Sequence, residues 1–162
     1  MTRLLLMRHA KSSWKTAGQT DHQRPLSPRG RLDAPTMARR LQVLDWVPEL
    51  ALVSDSARTE ETWAWMSAEL DPVPPFELRS ELYHGTITEI RAAIRARVTG
   101  QSTVLVLGHN PGWEDAIEAL TGEVHPLTTA NIALLSHPGT WAEALDRADW
   151  VVEDVLRPRA PR

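Results

Sequence analysis

Residues 4–14 read LLLMRHAKSSW, four apolar residues that end abruptly in an arginine, a histidine and a lysine. Continuous apolarity over so short a run, without alternation, is the pattern of a strand covered on both faces, as in a parallel sheet flanked by helices. The charge behind it is then delivered to one end of that sheet. Two further runs repeat the arrangement: residues 50–53 (LALV) precede Ser54 and Arg58, and residues 104–107 (VLVL) precede His109 and Asn110. Residues 132–135 (IALL) give a fourth such run, and residues 150–152 (WVV) read as a last, edge-like strand.

Helical patterns lie between these runs. Met37, Leu41 and Leu44 are spaced i, i+4, i+7; Trp63, Met66 and Leu70 are spaced i, i+3, i+7; Ile87, Ile90, Ile94 and Val98 continue the same stripe logic. Thr86-x-x-Glu89 forms a capping box at the start of the last of these. After residues 104–107, Asn110 can cap a helix and Pro111 suits its first position, with Trp113, Ala116, Ile117 and Leu120 on the apolar face before Gly122. Within residues 27–44, Pro35 would cost about 3 kcal/mol in a helix interior, which predicts a kink or a restart near Asp33. Strands alternating with helices predict a three-layer α/β/α sandwich with a mostly parallel central sheet.

The chain has 162 residues, 42% of them hydrophobic and 24% charged, which suits one soluble globular domain. A formal charge of −3 gives no global reason to bind nucleic acid, so any basic cluster must act locally. The absence of cysteine excludes a disulfide framework, thiolate metal sites and a cysteine nucleophile. No run approaches the roughly 18 apolar residues of a membrane span, and the first one is too short for a signal segment, so the expected compartment is the cytoplasm.

Ligands of open α/β sheets bind at the carboxyl ends of the strands, so Arg8, His9, Ser54, Arg58 and His109 are expected to converge on one crevice. Each also has an ordinary structural explanation. A strand-end arginine often reaches solvent or pairs with a carboxylate, a strand-end serine often caps, and a histidine before a helix can be a cap or a core residue. Arg58 is harder to dismiss, because a cation in the first turn of a helix opposes the macrodipole and calls for a ligand or a buried partner. Arginine forks match phosphate oxygens, and a histidine held neutral by neighbouring positive charge can attack phosphorus. The set suits phosphoryl transfer through a histidine. His22, His84, His125 and His137 lack metal-ligand spacing and are expected in solvated loops; no metal or cofactor is expected. The seven tryptophans are expected mainly in packing, with Trp14 and Trp113 the two near the motifs.

In order along the chain, RHA at residues 8–10, SDSARTEET at 54–62, EL at Glu81 and GHNPG at 108–112 resemble the motif blocks of the histidine phosphatase superfamily, nearly end to end. The short chain, RHAKSSW and DHQRPLSPRGRLDAPTMARRL look most like the SixA-type phosphohistidine phosphatases. The resemblance implies a phosphoglycerate-mutase-like fold, with residues 1–156 as one domain and 157–162 as a tail. It implies His9 as the nucleophile, Arg8 and Arg58 as phosphate clamps, and His109 as the second active-site histidine. Arg24 matches a family arginine beside the site that assists binding; a salt bridge to Asp21 is its structural alternative. Glu81 is the positional candidate for a general acid, with a salt bridge or cap as its alternative.

Two departures from the family pattern bear on the chemistry. Ala10 stands where glycine is usual, so the turn must be one that alanine can adopt. The chain also has little room for the insertion that carries a glutamate acid in larger members. Alkoxide leaving groups need a proton, whereas phosphohistidine can leave as neutral imidazole, so a site with a weak acid favours phosphoramidate. The expected partner is a histidine-phosphorylated signalling or phosphocarrier protein, with no nucleic acid or membrane partner. A phosphatase of small phosphomonoesters and a non-catalytic phosphate-binding module are the competing readings.

Overall fold

The computed structural model describes residues 1–159. Six strands, β1 (Thr2–Arg8), β2 (Leu50–Ser54), β3 (Phe76–Arg79), β4 (Thr103–Gly108), β5 (Ile132–His137) and β6 (Val151–Leu156), form one sheet in the order β3-β2-β4-β1-β5-β6. Three of the five adjacencies are parallel, and β5 alone runs against the others, pairing antiparallel with β1 and β6. The three most apolar parallel runs therefore lie side by side as β2-β4-β1, which brings their carboxyl ends together.

Alternate residues of the continuous runs feed two separate cores. Leu4, Leu6, Leu52, Val104 and Val106 pack with α3 (Ile87–Arg97), α4 (Gly112–Thr121) and α5 (Trp141–Ala144). Leu5, Met7, Val53, Leu105 and Leu107 face the other way onto α1 (Pro28–Val43) and α2 (Ala57–Ser67). All four residues of 4–7 are fully buried, which explains why the run does not alternate.

Ser27 caps α1 through Gly30 N–H, and α1 runs unbroken through Pro35. Of the expected kink or restart, the restart near Asp33 does not occur. Proline removes one hydrogen bond, to the carbonyl of exposed Arg31, while Ala34, Met37, Ala38 and Leu41 still bury the inner face. The capping box at Thr86 forms, with Glu89 accepting from Thr86 N–H at 2.9 Å. The start expected for α4 shifts by one residue: Pro111 takes the cap position, and Asn110 instead donates its side-chain amide to the Leu127 carbonyl at 2.8 Å. Gly122 ends α4 in the left-handed region, at φ 74°. His137 is buried in β5, with its Nε2–H on Asp149 and Nδ1 accepting from Gly139 N–H, rather than in a solvated loop. Of the expected tail, Arg159 reaches back to Asp33 on α1 at 3.2 Å, and residues 160–162 lie outside the described residues.

Two glycines fix how α4 meets the sheet. A methyl at Gly108 would run into the buried Trp113 ring, which is itself tied to the Val106 carbonyl at 3.0 Å. A methyl at Gly112 would run into the backbone carbonyl of Gly85 in the turn before α3. His109 lies between these two contacts and cannot drift from the end of β4.

Candidate active site

The charged residues at the ends of β1, β2 and β4 do converge. His9 N–H donates to the Gly108 carbonyl at 3.1 Å, and the His9 carbonyl accepts from Ala130 N–H at 2.9 Å, so the end of β4 and the turn before β5 hold its backbone. Ala10 is fully buried and lies outside the left-handed region, so alanine meets the requirement of the turn without strain. Its N–H donates to the Thr62 hydroxyl at 3.1 Å, and that hydroxyl donates to the Arg58 carbonyl at 2.7 Å. The turn that carries His9 is thereby tied to the helix that carries Arg58.

The side chains are arranged around one guanidinium. Arg58 presents its side edge to the two histidines: Nε–H lies 3.3 Å from His9 Nε2, and Nη2–H lies 3.4 Å from His109 Nδ1. His9 Nδ1 lies 2.7 Å from the Ala10 carbonyl, and a carbonyl only accepts, so the ring proton sits on Nδ1 and Nε2 keeps its lone pair. At His109 the Arg58 guanidinium can only donate, so Nδ1 accepts and the ring proton sits on Nε2, donated to the Ser54 hydroxyl at 2.9 Å. Arg8 is held by the Leu127 carbonyl at 3.0 Å, and its buried Nε–H has no partner among the described residues, an open donor of the kind an anion can take.

Both histidines are depressed, His9 to about 4 and His109 to about 3. Burial is the larger cause in each case; positive charge on Arg58, Arg8 and Arg24 adds to it at His9, and neighbouring His9 and Arg58 add to it at His109. Between the free imidazole value near 6.5 and the native value near 4, the unfolded chain binds a proton at His9 that the native chain refuses. Stability therefore rises with pH across that window, falls on acidification through it, and loses nothing more from this group below about 4. We expect His9 alone to contribute a loss on the order of 3 kcal/mol between pH 7 and 4. Urea unfolding across this range checks it: a flat profile, or an equal slope in His9→Ala, would refute the assignment of neutral His9.

Arg24 is buried and forms the salt bridge of its structural alternative. It bonds Asp21 Oδ1 at 3.1 Å and the Ser12 hydroxyl at 3.0 Å, and its charge also bears on His9. Its outer face stacks on Trp14, which is 77% exposed at the rim, whereas Trp113 is core; packing thus holds for Trp113 and not for Trp14. Glu81 is not brought to the cluster. Its carboxylate is taken by Arg79 at 2.6 Å, in a short 3₁₀ turn (Ser80–Leu82), so the salt-bridge alternative describes it and the expected acid is absent from the cluster.

Ser54, expected in the crevice from its strand end, orients His109. Two residues escaped the reading of the sequence as members of the cluster. Asp21 and Tyr83 join Arg58: its end edge donates to the Asp21 carbonyl at 2.7 Å and to Asp21 Oδ2 at 3.1 Å, and the Tyr83 hydroxyl donates to the same Oδ2. The Tyr83 ring packs edge-on against His109. A cavity of about 130 Å³ opens beside His109, with His84, Thr86 and Asp115 in its wall. A larger groove, about 530 Å³, lies at the opposite end of the strands around Thr2, Gln101 and Trp141, and no titratable side chain lines it.

A crevice of two histidines and three arginines at the carboxyl edge of a mostly parallel sheet suits an anionic ligand, and comparisons with known proteins give the family. A profile of the histidine phosphatase superfamily (branch 1) matches residues 4–145. The chain belongs to that superfamily and is a phosphatase. A chloroplastic protein of Arabidopsis thaliana is 37% identical, over 96% of this chain and 78% of its own. SixA of Nakamurella multipartitia, a proposed phosphohistidine phosphatase, superposes with a TM-score of 0.82 at 30% identity, covering 98% of this chain and 97% of that one. A protein histidine phosphatase SixA solved with tungstate gives 0.81 at 25% identity, covering 97% of each chain. Within the superfamily, then, this chain is of the SixA type. Among the described residues no helix is long and apolar enough to cross a membrane.

Proposed function

We propose that this phosphatase removes phosphoryl groups from phosphohistidine presented by another protein, through a covalent intermediate on His9. The observation that carries the reading is the tautomer of His9: its Nδ1–H is spent on the Ala10 carbonyl, and its Nε2 lone pair faces the side edge of Arg58. In the first step Nε2 attacks phosphorus while Arg8 and Arg58 hold the equatorial oxygens, His109 joins them in its Nδ1–H tautomer with the Ser54 hydroxyl donating to Nε2, and Arg24 assists binding. The bond from phosphorus to the substrate nitrogen breaks, and its electron pair stays with the departing ring. Phosphorylated His9 is then a cation, with the Ala10 carbonyl on its remaining N–H to stabilise it. Water attacks phosphorus in the second step, and His9 leaves as the neutral tautomer from which it began. A related protein histidine phosphatase SixA was solved with tungstate, a tetrahedral oxyanion like phosphate, which supports the reading.

The substrate class follows from the supply of protons. Asp21, the carboxylate bonded within the cluster, is held well below the usual carboxylate range, first by the Tyr83 hydroxyl and then by Arg58 and Arg24. It has no proton to give, and Glu81 is engaged by Arg79. An alkoxide would leave unassisted and slowly, whereas a phosphohistidine ring already protonated on its other nitrogen leaves as neutral imidazole. Rapid-quench mixing with a labelled phosphohistidine peptide should trap acid-labile phosphate on the protein. Turnover of that peptide should exceed that of a sugar phosphate by about 100-fold or more, on the scale a missing general acid costs. Preference for the alcohol ester would sink the substrate assignment, and no trapping at any quench time would sink the intermediate.

A further inference from the structure

We infer that Asp21 and Tyr83 are positioning residues that aim Arg58 at the phosphoryl group; this rests on the phosphoryl-transfer reading above. A guanidinium offers two edges. Arg58 turns the Nε/Nη2 edge toward His9 and His109, where a phosphoryl group would sit, and gives the Nη1/Nη2 edge to Asp21. Asp21 grips with two different groups, its backbone carbonyl and its carboxylate, so the arginine is fixed in rotation as well as in place. The second carboxylate oxygen takes Arg24, and Tyr83 fixes the first, so both oxygens have assigned partners.

Arg58 needs such a counter-ion. It is the second residue of α2, its side chain is 6% exposed, and the helix dipole there repels a cation. With no carboxylate on its far edge, the fork would swing toward solvent or into the space a phosphoryl group must fill. Asp21 thus acts through Arg58. Its charge also opposes the incoming phosphate, so it aids orientation at some expense of affinity.

That opposition gives the proposal a signature. Asp21→Asn should lower kcat for phosphoramidate about 100-fold, the scale of a misplaced catalytic group, while inorganic phosphate inhibits several-fold more tightly because the cluster has lost a negative charge. Asp21→Glu keeps the charge and moves it; kcat should fall comparably, with the inhibition constant for phosphate near that of wild type. Tyr83→Phe keeps the ring against His109 and should lower kcat only a few-fold. Thermal unfolding of each variant is followed alongside. A kcat for Asp21→Asn within twofold of wild type would overturn the inference. So would phosphate binding that weakens in parallel with kcat in both Asp21 variants, the result expected of a merely structural residue. The same rapid-quench trace reads the underlying mechanism separately: wild type without acid-labile phosphate refutes the His9 intermediate, whereas slower formation of it in Asp21→Asn supports both.

Discussion

His9→Ala is expected to lower phosphoramidate turnover about 10⁴-fold or more and to abolish the acid-labile phosphate, because it removes the nucleophile rather than a contact to it. The neighbouring histidine should not take over. His109 is equally neutral, but its N–H rests on the Ser54 hydroxyl, which stabilises an imidazolium less than the backbone carbonyl beneath His9 does. His109→Ala should therefore slow phosphorylation yet still trap phosphate on His9. Loss of fold is not the expected cause of inactivity in His9→Ala. The variant gives up two side-chain hydrogen bonds, one to the Ala10 carbonyl and one from Arg58 Nε–H, but also sheds a group whose burial opposes protonation, so below pH 6.5 it should be less acid-sensitive than wild type. Rapid quench and urea titration of the same preparation decide the matter. Acid-labile phosphate persisting in His9→Ala would place the nucleophile elsewhere.

The reading of the sequence located this site because its members follow strand ends. Arg8, His9 and His109 come directly after runs that could only be buried strands, and Arg58 stood out for opposing its own helix dipole. The structure shows why that mismatch persists: the buried Arg58 guanidinium has Asp21, at the cluster's exposed side, as its charged partner, and its other edge faces His9 and His109. Asp21 itself was legible only as a neighbour of Arg24, three residues on. That local pair does form, and it hides the contact to Arg58, thirty-seven residues away, which only the packing of the first loop against α2 creates. Tyr83 and Thr62 were silent for the same reason, since a lone hydroxyl has no pattern in sequence.

The fold was readable to the extent that burial was complete. The strands with fully buried runs were found, and β3 was not: its residues alternate between exposed and half-buried, behind the prolines at 72, 74 and 75, so no apolar run marks it. Pro35 misled in the opposite direction. A penalty of about 3 kcal/mol is large for an isolated helix but small against the burial of four side chains on the inner face of α1. Ala10 raised the question of a glycine turn, and its buried backbone lies outside the left-handed region, so the turn does not call on glycine's conformational freedom; its N–H is taken by the Thr62 hydroxyl.

Arg58→Lys separates charge from geometry at the same site. Lysine keeps the positive charge, so burial and the remaining field should leave His9 titrating near 4, as in wild type. The fork is lost. Arg58 uses Nε to face His9, Nη2 to face His109 and Asp21, and Nη1 to hold the Asp21 carbonyl, and a single ammonium at the end of a flexible stem cannot serve both edges at once. We expect kcat/KM for phosphoramidate to fall by about 10³, the cost of removing a preorganised donor from developing negative charge. Because the loss is one of transition-state alignment, most of it should appear in kcat, with inorganic phosphate still bound through the retained charge. Steady-state kinetics with phosphate inhibition, read beside the acid limb of the rate profile, tests each part. A lysine variant within tenfold of wild type would mean that Arg58 acts as a point charge, and the bidentate geometry at the centre of this site would lose its catalytic meaning.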